Sequence, residues 1–320
     1  MWWCADCGLA QLLDDATAAE EPRAIEPRAA VRQAHDAVDE LVRSGLLVPG
    51  EFIEFASPHG GSWGDALRGA GFEPATGTRA GVVVDVYGLM HDRDQASALR
   101  ARAETLTPGG TLLLQFPSYA STLRRCEWNA LRHGHFAYHS VPAARRLLAD
   151  AGLSVFAARS YTLYSGSVLL LASRSGAGPT EEAAAEAAAV EDLEQAELAA
   201  GVMDPVAMTP LRDALDRDVT WLRTWVAAQR GGAWLYGAGS RAVAVLAAAG
   251  LAPGAVKGIV DGAPAKQGRR MPGTAIPIVA PDVLLAADPD RILLMLPDLE
   301  EELRDTWPQL ADRWVVYGAH

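Results

Sequence analysis

The stretch AGVVVDVYGLMH at residues 80–91, with ASALRARAETLTPGG at 96–110 and TLLLQFPSY at 111–119, decides the fold class of this chain. The first and third segments are short apolar runs rich in valine and leucine, which is typical of strands buried on both faces of a parallel sheet. The middle segment has a helical composition and is closed by Pro-Gly-Gly. Strand, helix and strand in this order predict an α/β sheet covered by helices.

The same alternation continues on both sides of this stretch. Residues 28–46 have helical periodicity, and residues 51–72 read as a strand, a glycine-containing turn and a helix. Residues 141–153 predict another helix, and 154–173 predict two strands around a turn. We expect this last strand pair to be an antiparallel addition at the edge of the sheet. Residues 28–175 are therefore predicted to form one Rossmann-like domain.

A second, smaller domain is predicted after a helical linker at residues 176–230. The segment SRSGAGPT at 173–180 breaks the pattern, and the Ala/Glu-rich stretch at 181–201 is predicted to be a solvated helix. Beyond it, residues 231–320 contain four strand-like runs with intervening helices, which predict a Rossmann-like domain of its own.

Composition limits the classes of function. The 320 residues suit two domains, and the net charge of −12, from 40 acidic and 28 basic residues, argues against binding to a nucleic-acid phosphate backbone. Three cysteines (Cys4, Cys7 and Cys126) indicate no disulfide framework and favour a reducing compartment. The start of the chain lacks the features of a signal peptide, and no apolar run approaches the ~20 residues of a membrane span. We expect a soluble cytoplasmic protein with neither nucleic-acid nor membrane partners; the oligomeric state stays open.

The segment IEFASPHGG at 53–61 is the first candidate site. A strand that ends in an acid and runs into small residues and glycines lets the backbone approach a nucleoside closely. The same pattern also fits an ordinary tight turn between strand and helix, so both interpretations remain open. Downstream, Glu73 in GFEP stands where a carboxylate accepts ribose hydroxyls, or where it is simply solvated.

Three of the seven histidines lie in RHGHFAYHS at 132–140. In an extended segment, His133 and His135 point to the same side, and an imidazole is well suited to take a proton at neutral pH. A metal site is a second possibility, although no nearby carboxylate or second cluster supports it. Structural or surface histidines are the third.

The second domain contains an anion-site pattern. YGAGSRAVAVL at 236–246 reads as a strand, a glycine turn and the start of a helix, whose free N–H groups attract anions. VDGAPAKQGRRMPGTAIPI at 260–278 adds Lys266, Arg269 and Arg270. The combination suits a diphosphate, and a structural turn with surface bases is the alternative.

Taken together, these segments resemble the deoxysugar C-methyltransferases, which depend on S-adenosylmethionine and act on dTDP-linked keto sugars of antibiotic biosynthesis. The second domain is the most specific part of the resemblance. CADCGLAQL at 4–12 resembles half of that family's N-terminal zinc module, and IEFASPHGG and FPSY (116–119) resemble its cofactor loop and a strand end. RHGHFAYHS resembles the segment that bears its presumed base, and YSGS (164–167) resembles its H-G-G-S.

The resemblance implies a class I methyltransferase-like Rossmann domain, a smaller Rossmann-like domain and a defined set of site residues. His135 would remove the proton next to the sugar ketone, and the enolate carbon would attack the methyl group of S-adenosylmethionine. The enolate oxygen would need electrostatic stabilisation. The sugar nucleotide would lie between the domains. The implied catalytic residues are His135, His133 and Tyr138. The implied cofactor residues are Glu54, Ala56, Gly60, Gly61, Glu73, His91 and Phe116. The implied substrate residues are Arg132, Tyr164, Ser167, Tyr236, Gly237, Gly239, Ser240, Lys266 and Arg269.

Several positions depart from the family pattern. Cys4 and Cys7 are the only pair of an expected four-cysteine zinc site, so residues 1–27 are predicted to be a remnant of that module with an incomplete metal site. Pro58 and His59 replace the Asn-Asp pair of the cofactor loop, and Arg132 and Gly134 replace a tyrosine and a glutamate. Besides methyl transfer, two functions stay open: a non-methylating homologue that binds a sugar nucleotide or stabilises a partner, and enolisation without S-adenosylmethionine.

Overall fold

The structure, a computed structural model, describes residues 1–14, 22, 25–58, 60–174 and 181–318. His59 and most of the predicted 173–180 linker lie outside the described residues, as does part of the predicted zinc-module remnant. The described residues form two compact units. The first unit takes its residues from 1–20, 30–126 and 133–209, and the second from 21–29, 127–132 and 210–320.

The first unit is built of strands and helices that alternate along the chain. In order they are β1 (Trp2–Trp3), β2 (Ala10–Gln11), α1 (Arg28–Arg43), β3 (Glu51–Phe55), α2 (Gly64–Gly69), β4 (Glu73–Pro74), β5 (Ala80–Val86), α3 (Gln95–Thr105), β6 (Leu106–Pro117), α4 (Tyr119–Arg125), β7 (Ala137–Tyr138), α5 (Val141–Asp150), β8 (Ser154–Tyr161), β9 (Ser167–Ser173) and α6 (Glu181–Ala199). The predicted elements are thus present. The exception is Pro-Gly-Gly, which lies inside β6 instead of separating α3 from it.

The main sheet of the first unit has six strands in the order β4-β3-β5-β6-β9-β8. The first four of these run parallel, and β9 is antiparallel to both of its neighbours, β6 and β8. The predicted strand pair is therefore confirmed, but only β8 is an edge strand, because the chain returns to insert β9 between β6 and β8. The mixed sheet with helices confirms the predicted α/β fold class.

Apolar side chains fill both faces of this sheet. Val82, Val84 and Val86 of β5 belong to one buried cluster, whereas Val83 belongs to the other. Because successive side chains of a strand point to opposite faces, a run of valines is what a doubly covered strand requires. The prediction from residues 80–91 is confirmed at the level of individual side chains.

A second, small sheet in the first unit joins β1, β2 and β7. Ala10 pairs with Tyr138 and Gln11 with Ala137, both antiparallel, and the Leu12 N–H donates to the Phe136 carbonyl at 3.1 Å. The N-terminal hairpin thus supports the histidine-bearing segment directly.

The second unit contains a parallel five-stranded sheet. Its elements are α7 (Thr209–Ala227), β10 (Ala233–Tyr236), α8 (Ser240–Ala249), β11 (Val256–Val260), β12 (Ile278–Val279), α9 (Pro281–Ala287), β13 (Ile292–Leu294), α10 (Glu300–Thr306) and β14 (Trp314–Val316). The strand order is β12-β11-β10-β13-β14, with all pairs parallel. The chain adds β11 and β12 on one side of β10 and then adds β13 and β14 on its other side. This strand order is that of the predicted Rossmann-like domain.

The segment predicted as a helical linker is divided between the units, since α6 falls in the first and nearly all of α7 in the second. Helix α6 packs on β8. It is less solvated than predicted, because Val190 and Glu197 are buried. None of the helices in the described part of the chain is both long and apolar enough to cross a membrane.

Candidate functional site

The loop after β3 is held in shape by the acid that ends the strand. Both carboxylate oxygens of Glu54 accept hydrogen bonds at 2.6 Å, one from the Trp63 N–H and the other from the Ser62 hydroxyl. Gly60 and Gly61 have φ of +94° and +85°, a left-handed conformation that favours glycine. A Cβ added at Gly60 would meet no heavy atom within 4 Å outside its chain neighbours, so there is open space at this one position of the loop. Ala56 on the same loop is exposed.

The neighbouring strand β4 is only two residues long and is an edge strand of the sheet. Glu73 lies on it with an exposed side chain, paired in register with Glu51 of β3. Residues 75–79 then connect β4 directly to β5, with no helix or strand between them. The candidate cofactor residues Glu54 and Glu73 are thus on adjacent parallel strands, and Glu54 is near the carboxyl end of β3, the edge at which ligands bind in such sheets.

A strained polar cluster lies at the carboxyl ends of β5 and β6. The Gln115 side-chain amide donates to the Tyr87 hydroxyl at 2.9 Å and to the Ser167 hydroxyl at 3.1 Å. Tyr87 and Tyr164 both have φ near +55°, and their rings meet edge to face at 5.5 Å. Left-handed backbone at non-glycine residues costs free energy and concentrates at functional sites. Of this cluster, Tyr164 and Ser167 were predicted as site residues, whereas Tyr87 and Gln115 were not.

The candidate base lies in a cluster of aromatic rings. The His135 ring meets the His91 ring edge to face at 4.9 Å and lies 6.2 Å from the Tyr138 ring, centroid to centroid. His91 Nδ1 is 2.5 Å from the Gly134 carbonyl oxygen, which places the proton on that nitrogen. The Phe136 N–H donates to the Met90 carbonyl at 2.8 Å. The structure therefore brings together three predicted residues, His91, His135 and Tyr138.

The two histidines of the HxH pattern do not point to the same side, contrary to the prediction. His133 is exposed, whereas His135 is only 5% exposed. Gly134 between them has φ of +88°, so the chain makes a turn here and the strand alternation does not apply.

His139 is buried in the apolar interior. Its ring lies 5.4 Å from the Phe116 ring, and in the described part of the chain neither ring nitrogen has a hydrogen-bond partner. Burial lowers the pKa of His139 to about 4. Phe116, a predicted cofactor residue, is itself 1% exposed and belongs to the core under β6.

Asp85 is a buried acid that the sequence did not single out. One of its oxygens accepts from the Gly88 and Leu89 N–H groups at 2.8 and 3.0 Å, and the other accepts from Arg102 Nε at 2.5 Å. Burial raises the pKa of Asp85, and the Arg102 guanidinium opposes this rise. These two bonds hold the backbone at the start of the 3-10 turn Leu89–His91, on which His91 lies. The acid three residues before a glycine, in DVYG, was the only available signal.

Glu197 is the second buried acid that the sequence did not single out. Its carboxylate accepts from the Ser118 hydroxyl at 2.9 Å and from the Val141 N–H at 2.5 Å. Ser118 caps α4, directly after β6, and Val141 begins α5, directly after the histidine segment. Burial raises the pKa of Glu197. One side chain of α6 therefore fixes two segments that flank the candidate site.

The glycine turn of the second unit is held by an internal lysine. Lys266 is 5% exposed, and its Nζ donates to the Ala238 carbonyl at 3.0 Å and lies 3.6 Å from Asp261 Oδ2. Asp261 in turn accepts from the Ala238 N–H at 2.9 Å. Gly237 has φ of +98°, and Gly239 precedes α8, which begins at Ser240. Lys266 thus binds the loop itself, whereas Arg269 is exposed.

The other predicted residues of the second unit are placed differently. Tyr236 packs edge to face on Trp307 and Trp314, at 5.6 and 5.7 Å, and burial raises the pKa of its hydroxyl to about 12. Arg132 is half-buried and belongs to the second unit. A cavity of about 430 Å³ lies at the far end of α8, and none of the predicted site residues lines it.

Cys4 and Cys7 lie in one turn, in which the Gly8 N–H donates to the Cys4 carbonyl at 2.9 Å. The backbone N–H groups of Cys7 and Asp6 lower the pKa of the Cys4 thiol, whereas burial raises the pKa of Cys7. Tetrahedral zinc needs four ligands. The described residues contain no group of three or more His, Cys, Asp or Glu that could hold a metal ion, so this pair by itself does not fit zinc.

Comparison with known proteins agrees with the predicted family. Residues 163–316 match the sequence model of the C-methyltransferase C-terminal domain. The chain is also 26% identical over 246 residues to the C-methyltransferase NovU of Streptomyces niveus. This alignment covers 74% of the chain and 57% of the relative, so the chain spans little more than half of that protein. The two matches support the predicted family of C-methyltransferases.

Solved structures with partial likeness are also methyltransferases. One is the 1,6-didemethyltoxoflavin-N1-methyltransferase of Burkholderia thailandensis, at 13% identity and a TM-score of 0.34, covering 51% of this chain and 97% of that one. Another is the magnesium protoporphyrin IX methyltransferase of Synechocystis, at 18% identity and a TM-score of 0.33, covering 45% and 84%. Likeness at this level is too weak to bear on function.

Proposed function

We propose that this chain is an S-adenosylmethionine-dependent C-methyltransferase that acts on a nucleotide-linked keto-deoxysugar in natural-product biosynthesis, in the cytoplasm. The observation that carries the proposal is the cluster of His91, His135 and Tyr138, which lies in a chain that matches the C-methyltransferase C-terminal domain. The relative from Streptomyces niveus is a C-methyltransferase by name, which supports the same chemistry.

The residues of the first unit fit a nucleoside cofactor. The open space at Gly60 allows close approach to the loop backbone, and the exposed Glu73 carboxylate suits a pair of ribose hydroxyls. Glu54 shapes the loop from beneath, because both of its oxygens are engaged by Ser62 and Trp63. S-adenosylmethionine, when bound there, supplies an electrophilic methyl group.

His135 is the proposed general base, and His91 is its proposed positioning residue. An imidazole near neutral pKa is well matched to proton removal next to a ketone. The contact with His91, which is itself fixed by the Gly134 carbonyl, restricts the orientation of the His135 ring. The surrounding rings also exclude water, since His135 is only 5% exposed. This arrangement favours removal of one defined proton.

Tyr138 is the proposed donor to the oxygen of the enolate. The enolate oxygen carries the charge that develops as the proton leaves, so a fixed O–H donor lowers the barrier. Tyr138 is buried, and its backbone is fixed by pairing with Ala10. His133, which is exposed, is the least suited of the three predicted catalytic residues.

The second unit is proposed to bind the diphosphate of the substrate. The N-terminus of α8 presents backbone N–H groups that favour an anion, and Ser240 and Arg269 add a hydroxyl and a positive charge. Lys266 acts indirectly, because it holds the Ala238 carbonyl and so fixes the glycine turn.

Solvent deuterium exchange tests the base. The wild-type chain, given a dTDP-linked keto sugar in deuterium oxide, is expected to exchange the hydrogen next to the ketone. His135→Gln is expected to slow this exchange by about 10²–10⁴-fold. His133→Gln is the matched control, two residues away and exposed, and should exchange at the wild-type rate. Equal exchange by wild type and His135→Gln would remove His135 from the mechanism.

A second function is favoured by one specific feature. The connection of only five residues between β4 and β5 leaves little chain to cover an adenine, and Pro58 stands in the loop beside it. A non-methylating homologue that binds the sugar nucleotide, or that catalyses enolisation alone, fits this feature. Exchange of the ketone-adjacent hydrogen without any binding of S-adenosylmethionine would identify the enolising form.

A further inference from the structure

A chain of hydrogen bonds at the carboxyl ends of β5 and β6 holds the side chain of Tyr87. The Gln115 amide nitrogen donates to the Tyr87 hydroxyl at 2.9 Å and to the Ser167 hydroxyl at 3.1 Å, so both of its hydrogens are used. The backbone carbonyl of Gln115 also accepts from the Tyr87 N–H at 2.9 Å. Gln115 therefore binds Tyr87 at both its backbone and its hydroxyl, which fixes the position of this hydroxyl.

The backbone around Tyr87 has a conformation that residues other than glycine rarely adopt. Tyr87 has φ of +57°, and Tyr164 and Ser165, in the turn before β9, have φ of +54° and +70°. The two tyrosine rings meet edge to face at 5.5 Å. Left-handed backbone at such residues costs free energy and concentrates at functional sites. The arrangement therefore indicates a use for the Tyr87 side chain beyond packing.

Gln115 is an unfavourable residue for the interior of the sheet. It is 1% exposed, and its side-chain oxygen has no hydrogen-bond partner among the described residues. A buried oxygen without a partner destabilises a protein, whereas an apolar side chain of the same size does not. The amide at this position is therefore better explained by the two hydroxyls that it binds than by packing.

The direction of the hydrogen bond leaves Tyr87 able to donate. A hydroxyl has one donor position and two acceptor positions, and the Gln115 amide occupies an acceptor position. The O–H of Tyr87 is thus not used in this bond. Tyr87 is half-buried, whereas Gln115 and Ser167 are each 1% exposed. Of these three side chains, Tyr87 is the one that a ligand can reach.

The position of Tyr87 in the sheet suits the methyl acceptor of the proposed reaction. The strand order β4-β3-β5-β6 puts the exposed Glu73, on β4, and the carboxyl end of β5 on opposite sides of the loop after β3. A nucleoside whose ribose meets Glu73 would therefore extend its methyl-bearing end toward β5. Tyr87 also precedes His91, whose ring contacts the proposed base.

We propose that Tyr87 donates a hydrogen bond to a sugar oxygen of the keto-sugar nucleotide, and that Gln115 is the positioning residue that holds Tyr87 for this contact. The inference rests on the proposed function and adds to it a contact that selects the sugar. Sugar hydroxyls accept hydrogen bonds from a phenol, and an O–H that is fixed in advance loses little freedom when it binds. Tyr138 remains the donor to the enolate oxygen, so Tyr87 contacts another oxygen of the sugar.

Calorimetry of the full chain with two probes, dTDP and dTDP-4-keto-6-deoxyglucose, isolates the contact with the sugar. Tyr87→Phe keeps the ring and removes the hydroxyl. It should weaken binding of the sugar nucleotide about tenfold and leave binding of dTDP unchanged. Tyr161→Phe is the matched control, because Tyr161 packs on the same buried cluster as Tyr87, and it should bind both probes like wild type.

Gln115→Met tests the positioning role. Methionine is similar in size but donates no hydrogen bond, so binding of the sugar nucleotide should weaken by a factor of about three to ten, again without a change for dTDP. Because Gln115 acts through Tyr87, adding Gln115→Met to Tyr87→Phe should cause no further loss. A further loss of the same size would show that Gln115 acts independently of the Tyr87 hydroxyl and would overturn its positioning role.

The remaining outcomes separate this inference from the proposed function. Wild-type affinity of Tyr87→Phe for the sugar nucleotide would overturn the inference and leave the proposed function in place. Equal weakening of both probes would also overturn it, because a general disturbance of the first unit would then explain the loss. If wild type binds neither probe, the proposed function fails and the inference fails with it.

Discussion

Replacing the buried His139 by phenylalanine is expected to remove a large acid sensitivity of the first unit. His139 is 1% exposed, packs beside Phe116, and has no hydrogen-bond partner for either ring nitrogen among the described residues. The folded state therefore holds the neutral imidazole, and burial lowers its pKa from 6.5 to about 4. A phenyl ring fits the same aromatic surroundings and does not titrate.

The sign and size of the effect follow from linkage. Between about pH 6.5 and about pH 4 the unfolded chain binds a proton that the folded chain does not, so acidification favours unfolding. At about 1.4 kcal/mol per pH unit, the gap between 6.5 and about 4 corresponds to roughly 3 kcal/mol of unfolding free energy. The stability that depends on the neutral His139 is fully present above pH 6.5, is lost as the pH falls from 6.5 to about 4, and changes no further below about pH 4.

The assay is urea unfolding at several pH values across this window. Because the chain has two units, pulse-labelled hydrogen exchange of peptides from α5 should be used to follow the first unit alone. His139→Phe should show a pH profile flatter than wild type by about 3 kcal/mol. His133→Phe is the control, because His133 lies in the same segment but is exposed. A His139→Phe profile parallel to that of wild type would refute the burial argument, whatever its offset at neutral pH.

Four further variants test other contacts. Glu197→Gln keeps an acceptor for the Val141 N–H and a partner for the Ser118 hydroxyl, but it does not ionise. Wild type should lose stability as the pH rises above 4.5, by up to about 1.4 kcal/mol per pH unit, and the variant should not. Urea unfolding measures this difference, with the exposed Glu191→Gln as control. Gly88→Ala places a Cβ 2.7 Å from Asp85 Oδ1 and should destabilise by about 1–3 kcal/mol, whereas Gly77→Ala, with open space, should not; equal melting temperatures would contradict this. Glu54→Ala frees the loop at Ser62 and Trp63 and should weaken S-adenosylhomocysteine binding about 10- to 100-fold by calorimetry, with Glu51→Ala unaffected. Lys266→Met leaves the Ala238 carbonyl without its donor and removes the cation beside Asp261, which keeps its hydrogen bond from the Ala238 N–H. The second unit should lose about 3 kcal/mol of stability in segment-resolved exchange, whereas the exposed Arg269→Met should be neutral.

The features that could be predicted are those that depend on the pattern of neighbouring residues in the sequence. Valines at consecutive positions of β5 predict burial on two faces, and Val82 and Val83 do lie in separate clusters. The glycine turn before α8 was likewise readable from YGAGS, since a strand, glycines and a helix follow each other within a few residues.

The features that were missed depend on distant partners or on a single backbone angle. Glu197 looked like one more solvated acid of an Ala/Glu-rich helix, because its partners Ser118 and Val141 are far away in sequence. The positive φ of Gly134 turns the chain and separates His133 from His135, which no alternation rule anticipates. Lys266 was likewise predicted as a surface base, but its ammonium group is buried and contacts the Ala238 carbonyl and the Asp261 carboxylate.

Calorimetric titration of the full chain with S-adenosylhomocysteine tests the proposed methyltransferase most directly. The loop between Glu54 and Trp63, with its open space at Gly60, predicts saturable one-to-one binding. The absence of saturable heat at millimolar ligand would contradict methyl transfer by this chain.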